Sequence, residues 1–341
     1  MTGAFGLWWL SLIQLLCVQL WRTYCAIMEL IVVLQPPQPL PFDPRLWESL
    51  KPTTKSAYAN ALRDFLQHKV VREAGAPRTL AELDGLLVRY VGAGVKPSRA
   101  RTLIAAIEKA LPPCKGSLPY ARALLSEMEK KSPPTHTVPL GYEAAAGTAQ
   151  IIATSLDMPR VGGLLLLQSR TGLRPSEVLG LRRQHLVPAA RNLSNPSEAV
   201  LLLGMKHGTK VGRAQFVATS DSIALQLISA FWSTTPDGAF LSHITSYAAY
   251  ARVLQRAWKL AAVIELCFTP HSPRAGWATE CRLRGMSMPE LKARGRWASD
   301  KSLAIYLDVS ATMLLSQPTT HLRRLGSWAL GDLASRYAWW R

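Results

Sequence analysis

The sequence has little cysteine, and its cysteines are not spaced for cross-linking or for metal binding. Five occur in 341 residues, at Cys17, Cys25, Cys114, Cys267 and Cys281. No two of them form a Cys-x-x-Cys pair, and an odd number leaves one thiol over in any disulfide framework. The pattern therefore argues against a disulfide-stapled fold or a structural zinc site, and it favours a reducing compartment.

Acidic residues are also scarce relative to basic ones. The chain has 22 Asp and Glu against 40 Lys and Arg, which gives a formal net charge of +18. This excess is larger than a pair of domains needs for solubility, and its field attracts polyanions. Nucleic acid is the first partner that the charge suggests, and an anionic membrane surface is the second. At this length two domains are expected, and a hydrophobic content of 48% suffices for two cores.

The N-terminal segment lacks charged side chains. Thr2 to Trp21 is an apolar run just long enough to span a bilayer, and Arg22 and Glu29 are the only charged residues before Pro36. A secretory signal would begin with a basic region, which this segment does not have. Three interpretations stay open: a membrane anchor, an extension specific to this protein, or a wrongly assigned start with translation from Met28.

Prolines divide the rest of the chain. A proline-rich leader that cannot be helical occupies residues 36–44, so the fold is expected to begin near Arg45. Pro133 and Pro134 stop the preceding helix and mark a linker. The predicted organisation is an N-terminal segment with the leader (1–44), a first domain (45–131), a linker (132–138), a second domain (139–317) and a C-terminal helical tail (318–341).

The first domain is predicted to be a small all-helical unit with four helices. Apolar residues recur at helical spacing from Thr53 onward, behind a threonine cap. The same spacing returns over three further segments, which are Leu80 to Val91, Pro97 to Leu111, and Leu118 to Lys130.

The second domain mixes helices with two short strands. Gly162 to Ser169 predicts an apolar helix, and further helices follow from Ser222. Ala199 to Leu203 and Gln215 to Ala218 predict two strands, joined by a hairpin loop over Gly204 to Gly212. The predicted fold class is therefore mostly α, with a small antiparallel β-sheet.

Three blocks in the second domain concentrate residues suited to phosphodiester chemistry: TGLRPSEVLGL at 171–181, FTPHSPRAGW at 268–277 and GRWASDKSLAIYLD at 295–308. In residue identity, order and interval they resemble the tyrosine recombinases, the phage-integrase class of DNA strand-exchange enzymes. The resemblance covers roughly residues 45 to 310. It implies a two-domain DNA clamp, with a helical core-binding domain of SAM-like fold followed by an α+β catalytic domain.

The resemblance also implies a function. The chain would be a site-specific recombinase or integrase of a mobile element, cutting and rejoining double-stranded DNA through a 3′-phosphotyrosyl intermediate. Such an enzyme needs neither a metal nor a nucleotide cofactor, and it acts as a homotetramer on two DNA sites. Its place is intracellular and on DNA, in the nucleus of a eukaryote or the cytoplasm of a bacterium. The apolar part of the tail would dock on a partner subunit or pack on its own domain.

Arg174 and Arg274 match the family's arginine pair. Two guanidiniums on the nonbridging oxygens stabilise the charge that develops on the attacked phosphate. Glu177 lies one helical turn after Arg174, where its carboxylate can orient the guanidinium. Taken alone, Arg174 would be a helix-start arginine that pairs only with Glu177.

His271, Trp297 and Tyr306 match the remaining catalytic positions, and Tyr306 matches the nucleophile. His271 accepts the phenolic proton or holds the phosphate. Trp297 falls nine residues before Tyr306, where many relatives carry histidine and some carry tryptophan. An indole N–H donates a hydrogen bond but cannot shuttle a proton. Taken alone, each residue also fits a structural role, as a helix cap, a core aromatic and a buried tyrosine.

The resemblance further implies a lysine on the hairpin loop, which protonates the leaving 5′-oxygen. Lys206 and Lys210 are both candidates. Counting back from the strand at Phe216 and Val217 favours Lys210, and Lys206 is then a DNA contact.

Arg99 and Arg101 lie in the first turn of the predicted helix that begins at Pro97. Cations at a helix N-terminus oppose the helix dipole, so they need a compensating partner. A DNA phosphate and a nearby carboxylate both meet that need. The resemblance places the segment in the core-binding domain, which implies that both arginines bind DNA.

Other functions remain open from the sequence. A type IB topoisomerase uses a similar catalytic set to relax supercoils, and it would act on any plasmid without partner sites. A non-catalytic, DNA-binding remnant of a mobile element would not trap DNA covalently. A membrane-surface protein is supported by residues 1–34 alone, and fractionation of the expressed protein distinguishes it.

A sulfur leaving group at the 5′ position tests which lysine is the general acid. Sulfur departs without protonation, so a 5′-bridging phosphorothiolate substrate should restore cleavage to Lys210→Ala and give no rescue to Lys206→Ala. The measurement is the cleavage rate of each variant on the oxygen and sulfur substrates. Rescue of Lys206→Ala alone would reverse the assignment.

Overall fold

The computed structural model of the chain describes residues 47–75, 77, 79–131, 137–205, 214–307 and 317–331. The chain divides into two compact units after Pro134, within the predicted linker. Inside the described ranges, no helix combines the length and apolarity needed to cross a membrane, and no cluster of His, Cys, Asp and Glu is placed to hold a metal ion. The apolar run at 2–21 and the leader at 36–44 lie outside these ranges.

The first unit is helical throughout its described part. It contains α1 (Pro52–Gln67), α2 (Lys69–Ala74), α3 (Leu80–Gly92), α4 (Pro97–Ala110) and α5 (Pro119–Lys131). The three predicted segments after the first are confirmed to within about two residues. The predicted threonine cap is wrong, because α1 begins at Pro52 after Lys51 and has no side-chain cap. There are five described helices where four were expected, because the extended backbone of His68 separates α2 from α1.

The core of the first unit forms between the apolar faces of these helices. Leu62, Leu83, Leu103 and Ile107 are fully buried there. Asp84 on α3 is also buried, and its carboxylate accepts hydrogen bonds from the first backbone N–H groups of α5, at 2.8 and 2.9 Å. A carboxylate at a helix N-terminus satisfies amides that have no partner within the helix, so Asp84 fixes where α5 starts.

The second unit contains most of the elements. In chain order the helices are α6 (Tyr142–Thr154), α7 (Pro159–Thr171), α8 (Pro175–Leu179), α9 (Ser222–Thr234), α10 (Tyr247–Leu260), α11 (Ser272–Leu283), α12 (Met288–Gly295), α13 (Asp300–Ala304) and α14 (Thr320–Gly331). The strands are β1 (Leu186–Val187), β2 (Ala199–Leu203) and β3 (Gln215–Thr219). The predicted apolar helix, both strands and the helix start at Ser222 are confirmed.

The strands form one antiparallel sheet in the order β1-β2-β3. Leu201 of β2 pairs with Val217 of β3, and both side chains are buried on the core side. The mostly α fold with a small antiparallel sheet is confirmed. Residues 206–213 between β2 and β3 lie outside the described part, and Lys206 and Lys210 are among them.

The core of the second unit is built around α7, whose leucines at 164–167 are all buried. Helices α6 and α14 approach closely at glycines. A Cβ on Gly147 would strike the carbonyl of Leu322, and a Cβ on Gly326 would strike the carbonyl of Glu143. The described part of the C-terminal tail therefore packs on its own unit, and residues 332–341 lie outside the described part.

Substituting Gly326 with alanine should lower the free energy of unfolding by about 1–3 kcal/mol, because its Cβ has no room against α6. Gly331, at the end of the same helix, has open space around it, so Gly331→Ala should be neutral or should stabilise the helix. Urea unfolding of the two variants and the wild type makes the comparison. Equal stabilisation by both substitutions would contradict the packing of α14 on α6.

Candidate active site

The turn between α7 and α8 positions Arg174. Gly172 adopts a left-handed backbone with φ 62°, and a Cβ there would overlap the ring of Trp277. Arg174 then forms the N-cap of α8, and its backbone N–H donates to Glu177 Oε2 at 2.7 Å. The local sequence therefore ends one helix, starts the next and fixes the base of the Arg174 side chain.

Glu177 lies between two guanidinium groups. Its Oε1 accepts from Arg174 Nη1 at 2.6 Å, and its Oε2 accepts from Arg296 Nη2 at 2.7 Å. The carboxylate is buried, with 9% of the side chain exposed. Burial by itself would raise the pKa of Glu177, but the charges of Arg296 and Arg174 and the hydrogen bonds from Arg174 outweigh it and hold this pKa below its ordinary value. Glu177 is therefore ionised at neutral pH.

Arg274, in the first turn of α11, is 1% exposed. Its Nη1 donates to the carbonyl of Gly172, and its Nη2 donates to the carbonyl of Gly295 at 2.5 Å. Burial, and then the charges of Arg174 and Arg296, lower its pKa to about 9. In the described part of the chain, Glu177 is the carboxylate that pairs with this group of three arginines. The buried group carries excess positive charge and favours an anion beside it.

Trp297 forms one wall of the site. The guanidinium carbon of Arg274 lies 4.1 Å from the centroid of its ring. The Trp297 ring also stacks on the Trp277 ring, with centroids 6.1 Å apart. Trp297 is 7% exposed, so it packs in the core and also lines the site. The structural role and the site role that the sequence suggested for it are therefore compatible.

Tyr306 lies in a turn directly after α13, and its backbone N–H donates to the carbonyl of Leu303 at 2.8 Å. Its ring centroid is 5.5 Å from that of Trp297 and 6.4 Å from that of His271. The guanidinium carbon of Arg274 lies 5.8 Å from the same centroid. The second unit thus brings together the predicted tyrosine, histidine, tryptophan and second arginine.

Two residues of the site were missed by sequence reasoning, Tyr247 and Arg296. Tyr247 is the first residue of α10, and its ring lies 6.2 Å from His271. Burial, and then the nearby Tyr306, raise the pKa of Tyr247. No motif in the sequence pointed to Tyr247. Arg296 directly precedes Trp297 in the sequence. This position beside a predicted site residue could have indicated that Arg296 belongs to the site.

A groove of about 1100 Å³ opens on the second unit and has Arg296 in its wall. Three more arginines line it, Arg170, Arg284 and Arg294, together with residues of β3. Carboxylates at Glu198 and elsewhere in the lining offset part of this charge. Arg296 therefore belongs both to the buried arginine group and to the wall of an open groove in the same unit.

The predicted DNA-binding arginines of the first unit already have carboxylate partners. Arg99 pairs with Asp64, and Arg101 Nε donates to Glu129 at 2.9 Å. The sequence left open whether a carboxylate or a DNA phosphate compensates these two arginines, and in the structure each arginine has a carboxylate partner. Exposed pairs of this kind contribute about 0–1 kcal/mol, so a phosphate can displace the carboxylate at little cost.

No protein-family model matches the chain, and no curated protein matches it. Several solved structures are similar to it. The Tn1549 transposon integrase in complex with circular intermediate DNA is 16% identical, with a TM-score of 0.54 over 79% of this chain and 98% of that one. The XerH site-specific recombinase in its post-cleavage complex with palindromic difH is 16% identical, with a TM-score of 0.54 over 78% of each chain. A lambda integrase dimer bound to a COC′ core site is 16% identical, with a TM-score of 0.51 over 76% of this chain and 90% of that one. At these identities the likeness is one of fold.

Replacing Glu177 with glutamine should destabilise the second unit by roughly 3 kcal/mol at neutral pH, because it leaves buried guanidiniums without a counterion. The folded-state pKa of Glu177 is depressed, so its contribution is complete above the unfolded value of 4.5 and is lost as pH falls through the folded value. The stability difference between wild type and Glu177→Gln should therefore shrink in acid. Urea unfolding over a pH series measures it, with the exposed Glu265→Gln as control. A pH-independent difference would contradict this account.

Proposed function

We propose that this chain, which has the fold of the tyrosine recombinases, is a DNA strand transferase that forms a covalent bond between Tyr306 and a 3′-phosphate. The observation that carries the proposal is the position of the Tyr306 ring, 5.8 Å from the Arg274 guanidinium carbon and 6.4 Å from the His271 ring. A phenol, a base and a buried cation in one place are what attack on a phosphodiester requires.

The first requirement is an ionised nucleophile. A free phenol titrates near pH 10, so deprotonating it at neutral pH costs about 4 kcal/mol. His271 is the base that accepts the phenolic proton as the oxygen attacks phosphorus. Trp297 has only an indole N–H to donate, so its part is to hold a phosphate oxygen or to pack against Arg274.

The second requirement is stabilisation of the charge on the attacked phosphate. A guanidinium has five N–H donors. The side chain of Arg174 uses Nη1 and Nη2 for Glu177 and the Arg296 carbonyl, and that of Arg274 uses Nη1 and Nη2 for two carbonyls. Each arginine therefore keeps donors for the nonbridging oxygens, while its other bonds fix its position in advance.

The third requirement is a proton for the leaving 5′-oxygen. We assign it to Lys210, with Lys206 as the alternative, on the segment between β2 and β3. Both lysines lie in the chain between the two strands, which pair antiparallel, and the count back from β3 favours Lys210. The phosphotyrosyl bond conserves the energy of the cleaved diester, so rejoining needs no nucleotide.

Double-stranded DNA is the proposed substrate. The solved structures that the chain resembles are a transposon integrase, a lambda integrase and a site-specific recombinase, each in complex with DNA. The net charge of +18 supports a polyanionic partner. Arg99 and Arg101 are proposed to exchange their carboxylates for phosphates when DNA binds. We further propose recombination of a mobile element, carried out by a homotetramer on two sites.

A nicked substrate tests the covalent step. A pool of duplexes with a randomised core, each nicked so that the short 5′-hydroxyl strand diffuses away, should leave wild-type protein attached to DNA. Tyr306→Phe should abolish the adduct, because it removes the attacking oxygen and little else. Tyr247→Phe is the matched control, since it removes a phenol from the same site and should still form the adduct.

Denaturing gels measure the adduct, and mass spectrometry of the DNA-linked peptide identifies the residue. Absence of any wild-type adduct would support a non-catalytic DNA-binding protein. An adduct on Tyr247 would identify Tyr247 as the nucleophile in place of Tyr306.

A further inference from the structure

Arg296 occupies a backbone conformation that disfavours it. It follows the last residue of α12 with φ 59° and ψ 42°, in the left-handed region. A residue with a Cβ is strained there, whereas glycine fits with almost no penalty. The contacts of the Arg296 side chain or of its carbonyl must therefore compensate for the strained backbone.

The side chain adds a second cost. It is 6% exposed, and Nη2 donates to Glu177. Its Nε and Nη1 are buried, and no hydrogen-bond partner for either lies in the described part of the chain. Each buried donor without a partner has lost its hydrogen bonds to water and gained none in return, which destabilises the fold. The residue is thus placed at the expense of fold stability, which is typical of functional sites.

The backbone of the same turn holds both proposed phosphate-binding arginines. The carbonyl of Gly295 accepts from Arg274, and the carbonyl of Arg296 accepts from Arg174 Nη2 at 3.0 Å. A Cβ on Gly295 would overlap the ring of Trp297, so glycine is required for the turn to close against that ring. Adjacent carbonyls therefore set the relative position of the two guanidiniums.

The electrostatics explain what the Arg296 side chain adds. If Glu177 faced Arg174 alone, the carboxylate would neutralise the cation that the phosphate needs. Here Arg296 binds the second carboxylate oxygen, so one negative charge is divided between two guanidiniums. Arg174 then retains more of its positive potential toward the phosphate, and the carboxylate still fixes its orientation.

We propose that Arg296 is a positioning residue of the strand-transfer site, which holds Glu177 so that Arg174 is both oriented and incompletely neutralised. The inference rests on the proposed function and deepens it. Arg296 acts through Glu177 and through its own carbonyl on Arg174. It lies within the third recombinase-like block, but it is none of the catalytic residues that the resemblance implies.

Arg296→Gly separates this role from a role in folding. It keeps the backbone carbonyl and relieves the left-handed strain, so the variant should fold with a melting temperature at or above that of Arg323→Ala. Arg323 is the matched control, an exposed arginine on α14 that lies outside the groove and pairs with Glu143. Arg296→Lys retains the charge without the planar fork.

The readout is the single-turnover rate of covalent adduct formation on the nicked duplex pool, over a pH series, with DNA affinity measured separately. Arg296→Gly should slow adduct formation by about ten- to a hundredfold. In the lower part of the acid limb, below the pH at which the general base protonates, the further loss of rate caused by protonation of Glu177 should begin at higher pH than in wild type. The reason is that the cations facing Glu177 fall from Arg174, Arg274 and Arg296 to the first two. Arg296→Lys should be intermediate, and Arg323→Ala should match wild type.

Two outcomes would overturn the inference. One is a wild-type rate and an unchanged pH profile for Arg296→Gly. The other is a slowing with no shift of the acid limb, accompanied by a lower melting temperature, which would indicate a structural role. Failure of the wild type to form any adduct would instead overturn the proposed function, so the two hypotheses are tested separately.

Discussion

The second unit depends on a buried excess of positive charge. Burying one cation without a counterion is costly, and this site buries Arg274 beside two further guanidiniums with one carboxylate among them. Backbone carbonyls of Gly172 and Gly295 offset part of the cost by accepting hydrogen bonds from Arg274. An arrangement of this kind is stable only if the surrounding backbone is rigid, and it prepares the site for an anion before any ligand arrives.

Close approach between backbone and aromatic rings supplies that rigidity. Gly172 lies against the ring of Trp277, and Gly295 lies against the ring of Trp297. The two rings stack on each other, so the two turns that hold Arg274 are joined through one aromatic pair. A side chain at either glycine would separate turn from ring and displace the carbonyls. The aromatic core and the charged site are therefore parts of one packing unit.

Much of the fold followed from local patterns. The strands at Ala199–Leu203 and Gln215–Thr219 lie where the sequence predicted them, on either side of the loop that Gly204 and Gly212 bound. The first helix was less well predicted. Its start at Pro52 and its break at His68 depend on backbone dihedrals that the apolar spacing does not encode. Tyr306 likewise lies after the last turn of a short helix, a boundary that periodicity cannot fix.

The sequence by itself determined the residue types, their order and their intervals, and these were enough to indicate the fold and to name the tyrosine, the histidine and the arginine pair. Only the tertiary structure decided which groups share a site. Arg296 pairs with Glu177 and Tyr247 lies beside His271 because distant segments of the chain pack together. Arg99 has a carboxylate partner from another helix for the same reason. Spacing along a chain records contacts within one helix or strand, whereas contacts between elements exist only after folding.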